Sequence, residues 1–103
     1  MQPPRLTRHA RKRLQQRGSR ARDAAIVIAY GDIEVPARNG CRYLQLSQKE
    51  AARLQREELV AVAEMDRARR LVILADSLDR IITVIKVSPE RSTLRSRRAW
   101  VRR

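Results

Sequence analysis

One histidine occurs in the 103 residues, and arginines follow it four and eight positions later: His9, Arg13 and Arg17 in the stretch LTRHARKRLQQRG. On an α-helix, residues four apart rise about 6 Å and rotate by about 40°, so Arg5, His9, Arg13 and Arg17 would form one slowly turning row. Such a row suits phosphodiester chemistry. Guanidinium forks hold non-bridging oxygens in pairs, and an imidazole moves protons near neutral pH. His9 is then the candidate general acid or base, with Arg13 and Arg17 as phosphate clamps. Arg8, Arg11 and Lys12 point more directly to water and read as general positive charge.

Other chemistries lack their residues. A metal site would need a second histidine or a cluster of carboxylates, and a phosphate-cradling loop needs more glycine than Gly18, Gly31 and Gly40 supply. Cys41 stands alone, without a companion histidine nearby, and reads as a half-buried structural thiol. The expectation is therefore no metal and no cofactor.

The row must be held by a helix, and the sequence supplies one. Thr7 is placed to cap it, Leu6, Ala10 and Leu14 form an apolar seam about 100° from the basic row, and Gly18 suits a left-handed stop. Ser19 offers a second cap, and DAAIVIAY (Asp23–Tyr30) reads as a short buried helix ending before Gly31. Period-two patterning then marks a hairpin, DIEVPA and CRYLQL around Arg38-Asn39-Gly40, with Pro36 confining its strand to a sheet edge. Ser47 with Glu50 is a capping box opening helical spacing over residues 47–69, one long helix or two in succession. LVILADS and IITVIKV form a second hairpin, apolar enough to demand helices over the sheet. The fold class is α+β: N-terminal helices on a small antiparallel sheet, a long central helix and a basic C-terminal tail. The expected division is one domain over 1–88 and the tail over 89–103.

Charge sharpens the functional reading. Lys and Arg number 24 against 11 Asp and Glu, for a net charge of +13, and the excess lies at the two ends. Residues 1–22 hold eight basic residues and no acid, residues 89–103 hold six against Glu90, and the span between is neutral. Two arginine-rich ends point to a polyanion, with Arg5, Arg8, Arg11, Lys12, Arg20, Arg95, Arg97 and Arg98 as candidate nucleic-acid contacts. Three aromatics (Tyr30, Tyr43, Trp100) are too few for a base-stacking sheet. No leader, no apolar run near the roughly 18 residues of a span and no broad apolar face beside the charges lead to a cytoplasmic protein without a membrane partner.

The order LTRHARKRLQQRG, short helix, YGDI, LQLSQKEAARL and ITVIKV resembles the DUF4258 family, small bacterial domains that open on His-Ala-x-x-Arg-x-x-x-Arg-Gly. The resemblance covers residues 6–87. It implies a RelE/barnase-like ribonuclease fold of the barnase, EndoU, colicin and RelE group and a role as a metal-independent, RNA-cleaving toxin. The family's site residues carry over as His9, Arg13, Arg17 and the final-strand Thr83. Ser19 stands where a hydrophobic residue commonly follows the Arg-Gly pair, and SLDR lacks a glycine before the last strand.

The function expected on this basis is a toxin-like endoribonuclease that cleaves RNA by attack of the 2′-hydroxyl. One histidine carries one proton transfer, and the second role is open among Tyr43, Lys86 and solvent. The alternatives are a non-catalytic protein that binds RNA, DNA or the ribosome, and an interaction module whose acidic antitoxin covers the basic helix. RNA stands ahead of DNA as the partner.

Overall fold

The computed structural model describes residues 3–87 together with the backbone of Trp100 and Val101. Its first element is not helical. Arg5–Leu6 form a two-residue strand, β1, that runs parallel to the strand at Arg80–Lys86, so Arg5 leaves the helical row. The Thr7 side chain then accepts from Ala10 N (3.1 Å) and starts α1, Arg8–Gln16. At its end Gly18 takes φ +66°, and Ser19 N donates to the Leu14 carbonyl (2.9 Å), closing the turn as the glycine foreshadowed.

Helix α2, Ala21–Tyr30, is capped from the opposite direction to the one expected. Ser19 plays no part. The Asp23 carboxylate in the first turn reaches back to accept from Arg20 N (2.9 Å), a favourable place for negative charge. Gly31 ends the helix at φ −56°, and its lack of a side chain matters for space: a Cβ there would lie 2.5 Å from the Val27 carbonyl oxygen.

Strands β2, Ile33–Pro36, and β3, Arg42–Gln45, form the first hairpin. Asn39 and Gly40 both lie at positive φ (57° and 73°), and Cys41 N donates to the Arg38 carbonyl (3.1 Å), the turn that matches strand twist. The Asp32 carboxylate takes both Ser47 N (2.7 Å) and Ser47 Oγ (2.6 Å), while Ser47 Oγ accepts from Glu50 N (3.0 Å). That arrangement starts α3, Gln48–Arg56.

The long central helix of the fold expectation is two helices. Glu58 turns to φ 54°, Leu59 N caps the Leu54 carbonyl (3.0 Å), and α4, Val62–Ala68, sets off anew. The break lets Leu54 and Val60 enter the core before the turn is complete, and Met65 and Ala68 afterwards from α4, which packs on α2. One straight amphipathic stripe could not present both sets to the same cluster.

Strands β4, Leu71–Ala75, and β5, Arg80–Lys86, form the second hairpin. The sheet order is β1-β5-β4-β3-β2-β6, with β6 at Trp100–Val101, and because β1 runs parallel to β5 the sheet is mixed and not the antiparallel one expected. Two corrections follow from β6. Part of the expected tail is a strand, as its aromatic and β-branched pair favours. It pairs with Ile33 and Glu34, so β2 is not the sheet edge; Pro36 lies beyond that short ladder, and its missing N–H breaks no β2–β6 bond. Residues 88–99 and 102–103, and with them Arg95, Arg97 and Arg98, lie outside the described residues.

One core joins all the layers, from Ala10 and Leu14 through Ile26, Leu44, Leu54 and Met65 to Ile73, Ile81 and Val84. Within β5 the register slips: Leu74 pairs with Thr83 but Ala75 pairs with Ile81, leaving Ile82 as a bulge. The extra residue keeps Ile81 and Val84 both fully buried, where strict alternation would send one of them outward.

Candidate nucleic-acid interface

The start of helix α1 is tied to the sheet through Thr7. Thr7 Oγ1, besides capping the helix, donates to the Ile82 carbonyl at the bulge (3.0 Å), and Thr7 N donates to the Ile81 carbonyl (3.0 Å). The helix therefore starts against the beginning of β5. It ends against the other end of that strand, where Lys86 Nζ donates to the Arg17 carbonyl (3.3 Å).

Along α1 the row turns toward the core by about 40° per step, and burial follows the geometry. His9 is exposed, whereas Arg13 and Arg17 are half-buried beside Ala10 and Leu14. Arg13 Nε is enclosed and has no acceptor among the described residues. His9 has no hydrogen bond there that would orient its ring, a feature a proton-transfer residue needs. Arg8, Arg11 and Lys12 are exposed on the outer side, and Arg20 is exposed at the start of α2. Arg5 donates to the Leu78 carbonyl and belongs to the turn between β4 and β5.

Thr83 is placed elsewhere. It continues the cross-strand row Val35, Tyr43, Leu74, Thr83, on the face opposite to Leu44, Ile73 and Val84, which pack under the helices. No hydrogen bond joins it to His9, Arg13 or Arg17. The structure thus brings Arg13 and Arg17 together on one helix shoulder, leaves His9 at the rim and separates Thr83 from all three.

The tertiary structure adds cations that the sequence reading left out of the interface. Val87 N donates to the Arg70 carbonyl (2.7 Å) and Leu71 pairs with Lys86, so Arg69, Arg70 and Lys86 reach the end of the sheet occupied by Arg17. Arg70 has a loose pair with Asp66 (3.7 Å); Arg69 and Lys86 have none among the described residues. The pairing register of the last hairpin, placed next to the end of α1, is the signal that would have found them.

Ion pairing divides the cations sharply. Arg8, Arg11, Lys12, Arg13, Arg17 and Arg20 have no carboxylate within ion-pair distance among the described residues. Arg42 by contrast meets Glu34 (2.9 Å) and Asp79, Arg67 meets Asp23 (2.9 Å), Arg22 meets Glu64 (2.7 Å), and Arg53 meets both Glu50 and Glu57. The hydrogen bonds to Glu50 and then Glu57 raise the Arg53 pKa above the ordinary guanidinium value. Among the described residues no cluster of His, Cys, Asp and Glu could hold a metal ion, and no helix is long and apolar enough to cross a membrane. The chain matches no family model, no curated protein and no solved structure.

Proposed function

We propose that the protein binds RNA through the phosphate backbone, along α1 and the adjoining end of β5. The observation that carries this reading is the row of cations without counter-ions among the described residues: Arg13 and Arg17, ordered by packing, flanked by Arg8, Arg11, Lys12 and Arg20, and extended by Lys86 and Arg69. Arginine forks fixed by packing lose less side-chain entropy on meeting a phosphate than freely rotating ones.

The exposed, unoriented His9 and the opposite-facing Thr83 favour binding over chemistry. Cleavage by 2′-hydroxyl attack, with His9 as proton carrier, is the stricter form of the proposal and is read in the same assay. The RelE/barnase-like fold is proposed from the resemblance alone, and the α+β class is compatible with it.

The test is the affinity of the purified chain for a short uridine oligonucleotide as salt is varied. For single strands the log–log slope should be about −0.7 per phosphate contacted, and each interface arginine removed should flatten it by about that amount. A slope near zero, or one unmoved by Arg13→Ala with Arg17→Ala, would refute binding at this face. Loss of intact RNA in the wild type but not in His9→Ala would establish cleavage as well.

A further inference from the structure

At the other end of β5 a cavity of about 460 Å³ opens between the N-terminal segment, α2 and the turn joining β4 to β5. That volume falls in the range of about 300–1,000 Å³ typical of small-molecule sites. Its walls are apolar: Pro4 from the N-terminal segment, Ala25 and Ile28 one turn apart on α2, and Leu78, which is 67% exposed. Two charged residues complete it, Arg5 and Asp79.

Both charged groups are anchored. Arg5 donates to the Leu78 carbonyl and keeps donors to spare, since a guanidinium has five N–H groups. Asp79 holds Arg42 through Oδ1, while Oδ2 has no partner among the described residues. Its backbone sits at φ 61°, a conformation that Asp and Asn tolerate better than other side chains. The turn is tied by the Asp76 carboxylate, which accepts from Leu78 N and Arg80 N, each at 2.9 Å.

The cavity and the cation row are joined by one strand. Arg5 pairs with Arg80 at the start of β5, and Lys86 touches Arg17 at its end, so the two sites lie about 20 Å apart, the length of the strand. A single strand of RNA held by its phosphates along α1 would run on, over several nucleotides, to Arg5 and the cavity mouth. A flat ring would lie against the apolar part of the wall, and a carboxylate, being an acceptor only, selects a base edge rich in N–H donors.

We propose that this cavity is a subsite for one unstacked base of the bound RNA. Guanine is preferred because its adjacent N1–H and N2–H groups donate to Asp79, and Arg5 holds the flanking phosphate. Uracil offers one donor between two carbonyl oxygens and is disfavoured. The inference rests on the RNA-binding reading for how the base arrives, and its test can fail separately.

The full chain is titrated with UUGUU and with UUUUU, and in parallel with 5′-GMP and 5′-UMP while backbone amides are followed by NMR. UUGUU should bind about tenfold more tightly, the discrimination of one good bidentate base contact. Asp79→Asn, which keeps the turn's backbone preference, should remove the difference, with circular dichroism confirming the fold. 5′-GMP should shift the amides of Ile28, Leu78 and Asp79 more than 5′-UMP does. Equal oligonucleotide affinities, or a preference that survives Asp79→Asn, overturn the subsite while a steep salt slope still upholds binding at α1. Should neither oligonucleotide bind, selective 5′-GMP shifts at these three amides would support the cavity without the interface. Their absence would overturn both.

Discussion

Two groups of arginines in this molecule share a side chain and differ in everything around it. Arg42, Arg53 and Arg67 each meet a carboxylate, and the pairs tie β3 to β2 and to the turn between β4 and β5, turn to turn of one helix, and α4 to α2. Arg13 and Arg17 are half-buried too but have no acid beside them among the described residues. A guanidinium whose forks are filled holds the fold together, and one whose forks are empty is available to a ligand. The same residue type therefore carries opposite expectations for mutation.

The strongest break in that comparison is Asp23→Ala. Asp23 is wholly buried and takes both Arg20 N and Arg67 Nε (2.9 Å each), so its loss uncaps α2 and strands a guanidinium. Urea denaturation should show a loss of about 3 kcal/mol, while the folded fraction binds RNA as before; a stability within error of wild type would mean that the pair is ornamental.

Arg13→Ala with Arg17→Ala should reverse the pattern. RNA affinity should drop about tenfold at low salt, with stability changed by no more than about 0.5 kcal/mol per site. A large loss of stability with intact binding would move both residues into the structural group.

His9→Ala sharpens the distinction between holding and cutting. The side chain is exposed and has no hydrogen bond among the described residues, so affinity and stability should each shift by less than about 0.5 kcal/mol. Any RNA cleavage by the wild type that this variant loses at least a hundredfold would give His9 the proton-transfer role.

The smallest effect concerns acid. The Arg80 backbone N–H is the largest cause that holds the Asp76 carboxyl below the usual carboxylate range; burial opposes it, and the Leu78 backbone N–H and the Arg80 side chain add to the lowering. With the folded value depressed, the contribution is present above the unfolded value and is lost as pH falls through the folded one. Acid titration of wild type against Asp76→Asn should show a shallow extra loss of stability in the wild type below the ordinary carboxylate range, confined to the turn between β4 and β5 by amide exchange.

Much of the local structure was legible in the sequence, since its signals act within a few residues. Thr7 and Ser47 as caps, Gly18 as a stop and Asn39-Gly40 as a turn are decided by one or two backbone conformations each, and they stand as read. Ser19 did not cap α2 because its N–H closes the end of α1 on the Leu14 carbonyl, and the helix begins one residue later, after Arg20. Residues 47–69 were open to one long helix or two in succession, and the structure has two; the apolar stripe could not choose because it carries no sign of a left-handed residue at Glu58. Arg5 was placed on a helix because four-residue spacing cannot reveal that a parallel strand, β1, claims it first.

By itself, the sequence determined where charge concentrates and that His9, Arg13 and Arg17 share a helix side, because composition and the pitch of one helix suffice for both. Only the tertiary structure decided which member of the row faces the core, for burial depends on what the helix is laid against. It alone set Thr83 on the far face, through a single bulge residue, Ile82, that shifts every later side chain of β5 relative to its pattern. And it alone brought Lys86 and Arg69 to the end of α1 and Asp79 to Arg5, residues more than fifty positions apart whose meeting is fixed by strand pairing.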